Sequence, residues 1–119
     1  MARDHRRLTA FRLADTLALA VYRATTEFPD AERFGLQAQL RRAAVSVPAN
    51  IVEGCARASA RDFVRFLDIA FASCREALYL ADLSRRLNFL DAEGAAAIDS
   101  LGNRTAGALL RLRQSLEGR

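Results

Sequence analysis

Residues 34–57 read FGLQAQLRRAAVSVPANIVEGCAR. Leu36, Leu40, Ala43, Ala44, Val47 and Ile51 recur three and four positions apart, which is the core-facing stripe of an amphipathic helix. A second apolar run, Ala38, Val45, Ala49 and Val52, falls on the far side of the same helix. Between the two lies a polar row: Gln39, Arg42, Ser46, Asn50, Glu53 and Arg57. A helix on the surface of a lone monomer needs only one apolar stripe. Two stripes predict a helix that packs inside its own fold and also against another chain, which points to an assembly or binding protein. Pro48 removes one backbone hydrogen bond, so a kink near residues 44–48 is expected. Two short helices split at Pro48 are the alternative; one kinked helix is preferred because both stripes keep phase across the proline.

Working outward, the sparse punctuation (two prolines and six glycines in 119 residues) and the wealth of alanine and leucine favour helix throughout. A first helix is predicted at about residues 9–26, with Phe11, Ala14, Leu17, Ala18, Val21, Tyr22 and Thr25 on one face, Thr9 as N-cap and Phe28-Pro29 as its end. The helix quoted above spans about residues 34–57. A third, about 60–88, opens with Ser59 and Asp62 in a capping-box-like spacing. Its core face holds Phe63, Phe66, Leu67, Ala70, Cys74, Ala77, Leu78 and Ala81; a second stripe of Ile69, Leu80, Leu83 and Leu87 lies about 120° away. A fourth, about 92–116, follows Asp91 as N-cap and presents Ile98, Leu101, Thr105, Ala108, Leu109, Leu112 and Leu116. Gly94, Gly102 and Gly107 weaken it by roughly 1 kcal/mol each relative to alanine. Short connections force antiparallel neighbours, so the expected fold is all-α, an antiparallel up-down-up-down four-helix bundle in one domain over residues 1–119. The ends, residues 1–7 and 117–119, are expected to be loose.

A chain of this length buries roughly 65% of the surface it exposes unfolded, enough for a core without staples. All 18 basic residues are arginine, and the net charge is +4. That balance permits nucleic-acid contact without demanding it. Cys55 and Cys74 sit in apolar-periodic segments and read as small core residues. With no secretory leader, they predict a reducing, cytoplasmic setting. No apolar run approaches the ~20 residues of a membrane span, so no membrane partner is expected.

The central block resembles a known family. Phe34-Gly35-Leu36, Gln39 through Gly54, Arg57-Ala58-Ser59 and Asp62 through Ala70 look like the four helix bundle protein family, the 23S rRNA intervening-sequence proteins; Val21-Tyr22 and Phe28-Pro29 fit as well. The resemblance covers roughly residues 8–90. It implies a small bacterial all-α bundle that assembles as a homo-oligomeric ring, typically a pentamer. It also implies kinship with the accessory variability proteins of diversity-generating retroelements, which bind nucleic acid and a reverse transcriptase. Ala72 stands where the family often has glycine and Cys74 where it often has leucine, both small packing changes. The net charge of +4 weighs against the strongly basic retroelement behaviour.

Two constellations have two readings each. The polar row contains the i,i+4 pairs Arg42–Ser46, Ser46–Asn50 and Glu53–Arg57, which can touch. It is either a seam that carries its own partners and fixes register, or a recognition groove; the seam is preferred. Arg41, Arg57, Arg61 and Arg65 are expected near the turn between the second and third helices and on the outer face of the third. They are either a solvated mixed-charge face, blunted by Asp62 and Asp68, or a phosphate-contact surface suited to the planar guanidinium fork. Arg3, Arg6 and Arg7 with His5 form a short basic arm. No catalytic, cofactor or metal site is predicted: one histidine, two cysteines without partners and no glycine-rich phosphate loop leave nothing for acid-base, di-iron, zinc or nucleotide chemistry. Ala38, Val45, Ala49 and Val52, with Ile69, Leu80, Leu83 and Leu87, are the expected subunit contacts. Two function classes follow: an oligomer that binds RNA or DNA through surface arginines, or a protein-interaction scaffold without nucleic acid.

Overall fold

The first helix, α1 (Thr9–Ala24), opens without a side-chain cap. Thr9 is its first helical residue, not its cap; Leu8 holds the flanking position in extended conformation and packs apolar surface against the core instead. The computed structural model describes residues 3–117. α1 ends two residues earlier than expected, because Thr25 turns its hydroxyl back onto the Val21 carbonyl at 2.8 Å and Pro29 follows in extended geometry. The next helix, α2 (Leu36–Cys55), runs unbroken through Pro48. Its start is set by Glu32, whose carboxylate accepts from the Leu36 amide at 3.1 Å.

Ser59 caps α3 (Ala60–Arg86), accepting from the Asp62 amide at 3.1 Å. The end of α3 is a Schellman arrangement: Asn88, at φ 64°, bonds back to Arg85, and Phe89 to Ser84. Asp91 then caps α4 (Ala92–Glu117), its carboxylate accepting from the Gly94 amide at 2.7 Å. Among the described residues there is no strand, and no helix is long and apolar enough to cross a membrane.

α1 packs on α2 and α4, and α3 packs on the same two, giving a rod of 46 × 23 × 19 Å. The core between them holds Leu17, Val21, Leu40, Val47, Ile51, Phe63, Leu67, Ile98 and Leu109, all buried. Each such side chain contributes roughly 1.5–3 kcal/mol by leaving water. Three polar residues are buried there, Thr25, Ser84 and Thr105; each hydroxyl bonds the carbonyl four residues back, so none is left unsatisfied. Tyr22, expected on the inner face, is exposed, and Phe66 and Leu78 are half-buried.

The amino-terminal arm is not loose from Arg3 onward. The Arg3 amide donates to the Cys55 carbonyl (3.0 Å), its guanidinium donates to the Arg57 carbonyl (3.2 Å), and that guanidinium lies 4.5 Å from the centre of the Phe63 ring. A 3-10 turn, His5–Arg7, follows under an Asp4 cap, and the His5 ring meets Phe11 edge-on. Glu117 belongs to α4. Residues 1–2 and 118–119 lie outside the described residues.

Candidate functional site

The outer face of α2 keeps its apolar residues in water. Val45 is 41% exposed, Val52 38%, Ala49 is exposed and Ala38 half-buried. The matching stripe on α3 is broken. Ile69 and Leu87 are exposed and Leu83 is half-buried, but Leu80 is buried at 3%. Leu80 therefore belongs to the core of its own chain and not to an outward stripe. The reason is geometric: α3 lies between α2 and α4, so two arcs of its surface are covered. In its second half Ala77, Leu80, Ala81 and Ser84 are all inside.

The polar row is shorter than expected as a bonded seam. Asn50 donates to both the carbonyl (2.7 Å) and the hydroxyl (2.9 Å) of Ser46, and the Ser46 hydroxyl meets that of Ser73 on α3 at 2.9 Å. This half-buried trio bridges α2 to α3. Gln39, Arg42 and Glu53 are exposed, and the Arg42–Ser46 and Glu53–Arg57 pairs do not form among the described residues. Water already satisfies those charges, so nothing compels them to pair.

The four arginines separate into one and three. Arg41 is not near the α2–α3 turn. It lies in the second turn of α2, about 21 Å along the axis from the helix end at Cys55. There it closes the end of α1: its Nε donates to the Thr25 hydroxyl (2.8 Å), Nη2 donates to the Tyr22 carbonyl (3.3 Å), and the guanidinium stacks 4.5 Å from the Tyr22 ring centre. Arg57, Arg61 and Arg65 do gather at the α2–α3 turn. Arg57 and Arg65 share the Phe66 ring, at 4.6 and 5.6 Å from its centre, and Arg65 faces Asp62 at 3.8 Å. Arg61 and Arg65 line one shallow recess together with Asp62, Val64 and Asp68. Asp68 blunts this surface less than expected, because it turns to Arg113 of α4 at 2.6 Å. That pairing holds the Arg113 guanidinium above its ordinary pKa, chiefly through the hydrogen bond.

Sequence reasoning placed Arg3 in the basic arm but missed what anchors it, and missed the two rings, Phe63 and Phe66, that hold arginines in place. The basic arm was visible, but its anchor lies 54 positions away, where no local spacing could reveal it.

The family profile described as 23S rRNA-intervening sequence protein matches residues 6–110. The chain belongs to the 23S rRNA-intervening sequence protein family. In this family member the block from Gln39 to Gly54 lies within α2. The fold is similar to that of a solved structure, a protein with unknown function from the S23 ribosomal protein family of Bacteroides thetaiotaomicron, at a TM-score of 0.81 and 21% identity, covering 88% of this chain and 95% of that one. No curated protein matches the chain.

Other chemistry in this family member is quiet. Among the described residues no group of three or more His, Cys, Asp or Glu is gathered for a metal ion. Burial pushes the Cys74 thiol up to about 11, and it donates to the Gly102 carbonyl at 3.2 Å. The Cys55 thiol is raised for the same reason. Neither is a thiolate nucleophile at neutral pH.

Proposed function

We propose that this protein is a non-enzymatic, cytoplasmic assembly protein whose copies associate through the outer face of α2 and whose arginines contact nucleic-acid backbone. The four helices are read as an up-down-up-down bundle. The Cys74–Gly102 and Asp68–Arg113 pairs support that direction, since they match later α3 to earlier α4 and earlier α3 to later α4.

The observation that carries the reading is the exposure of Val45, Ala49 and Val52 together on one helix face. Exposed side chains of this kind scattered singly need no explanation, and it is their alignment on one face that supports reading them as an interaction site. Ile69, on the neighbouring helix, is exposed as well. A ring requires two different surfaces to meet head to tail, and the resemblance makes five copies the expected number. Arginine surfaces at the α2–α3 turn supply the phosphate-contacting chemistry.

Two measurements test it. Light scattering at tens of micromolar should give a multiple of 13.1 kDa; a monomer overturns the assembly. Binding to mixed RNA and DNA should weaken linearly in log K with log salt. No binding at low salt would leave the protein-interaction scaffold as the reading.

A further inference from the structure

We infer that the phosphate-contacting surface is a composite one at a single end of the molecule, made of Arg57, Arg61 and Arg65 at the α2–α3 turn and completed by Arg3 of the amino-terminal strap. This rests on the nucleic-acid reading above and narrows it to named residues.

Ion pairing separates Arg3, Arg57 and Arg61 from five other arginines but not from Arg12, Arg23 or Arg42, which also lack a carboxylate partner among the described residues; what sets the proposed group apart is that it gathers at one end of the molecule. Arg6 and Arg7 face Asp4, Arg85 and Arg86 share Asp82, and Arg113 holds Asp68. Among the described residues Arg3, Arg57 and Arg61 have no carboxylate within 4 Å, whereas Arg65 pairs with Asp62 at 3.8 Å. Glu53, one turn before Arg57, is exposed and makes no ion pair there.

Their geometry suits a chain of phosphates. Arg3 lies over Phe63, and Arg57 and Arg65 lie against Phe66. Stacking restricts a guanidinium plane without using its in-plane N–H donors, of which Arg3 spends one on the Arg57 carbonyl, so less side-chain freedom remains to be lost on binding. Arg61 and Arg65 are one helical turn apart, about 6 Å along α3, which makes a line of charge and not a point.

The strap also removes what would repel an anion. The end of α2 carries unpaired carbonyls with the negative end of its dipole. Arg3 donates to two carbonyls at this end, those of Cys55 and Arg57. A backbone-reading surface of this kind has no need of base edges, so the expected partner is a nucleic-acid strand bound with little sequence preference.

The experiment uses the full chain and fluorescent mixed-sequence RNA, single-stranded and duplex, from 50 to 200 mM salt. Helical content of each variant is checked by circular dichroism. Arg57→Ala with Arg61→Ala should weaken binding at 50 mM at least about tenfold and flatten the salt slope by roughly 1.5–2. Arg3→Ala should flatten it by roughly 1, and Arg41→Ala should leave affinity and slope unchanged. Salt-dependent binding by the parent that survives the double substitution, or that Arg41→Ala reduces equally, overturns this surface while sparing the wider reading. A parent that binds neither this RNA nor mixed-sequence DNA at 50 mM overturns both. Binding to anionic phospholipid vesicles, lost in the double variant, with no RNA binding, would assign these arginines to a different polyanion and refute the proposal.

Discussion

Gly102 and Gly107 stand five residues apart on α4 and do opposite things. A β-carbon on Gly102 would meet Leu78 at 2.4 and 2.8 Å, so this glycine lets α3 and α4 approach. A β-carbon on Gly107 meets only the mobile end of Arg111, at 3.3 Å. Gly54 resembles Gly102: the Phe63 ring and the Phe66 β-carbon would both lie 2.9 Å away. Gly54→Ala should therefore lose about 1–3 kcal/mol through overpacking, whereas Gly107→Ala should gain up to about 1 kcal/mol from helix propensity. Urea unfolding of the two variants checks both signs. The sequence made the α4 glycines look uniformly weakening; only the neighbour across the helix interface tells them apart. Cys74 gives a second test. Its folded-state pKa, about 11, is above the unfolded value of 9.0. Its contribution is fully present below pH 9 and is lost as pH rises from 9 through 11, since the unfolded chain releases the proton first. The loss is about 2–3 kcal/mol in all. Cys74→Ala should fall less in stability between pH 8 and pH 10.5 than the parent does; equal falls would mean another group titrates.

The elements differ in how well the sequence shows them. α2 was legible across Pro48 because its two apolar stripes keep one phase, and a missing amide hydrogen removes one bond without breaking that periodicity. The caps Ser59 and Asp91 were legible because a side-chain oxygen reaching an amide two or three residues on is a local event. What could not be read is where an element ends by the action of a distant one. α1 stops at Ala24 with two carbonyls near its end bonded by α2: Gln37 donates to that of Thr25 at 2.8 Å, and Arg41 donates to that of Tyr22 at 3.3 Å. Arg41 looked like one more surface charge because its partners are sixteen to nineteen positions away. Arg41→Ala should lower stability by roughly 1–2 kcal/mol, as partly buried acceptors lose a charged donor and Tyr22 loses its stacked plane. Arg41→Lys should recover little of that, because a point charge cannot hold two acceptors and a ring face together. Thermal melts of the three proteins decide it; full recovery in the lysine variant would mean charge alone is at work.

For the whole molecule, apolar residues outside the core have to be sorted into those that hold the chain together and those that meet something else. Burial alone makes the division. Leu80 and Val45 both looked outward on a helical wheel, yet one is 3% exposed and the other 41%. Aspartate at the two positions should therefore fail in different ways. Leu80→Asp places an uncompensated charge in the core and should remove about 3–5 kcal/mol, a large share of the stability of a domain this size. Its circular dichroism should show lost helix and an early melt. Val45→Asp and Val52→Asp leave the charge in water in the single chain, so helical content and melting of the separated chain should be close to the parent. Between copies the same charge meets an apolar surface, and association should weaken by roughly 2–4 kcal/mol at each substituted contact. Light scattering across a dilution series then shows the variants dissociating at concentrations where the parent stays assembled. Variants that keep the parent mass throughout would mean that the α2 outer face meets something other than another copy of this chain.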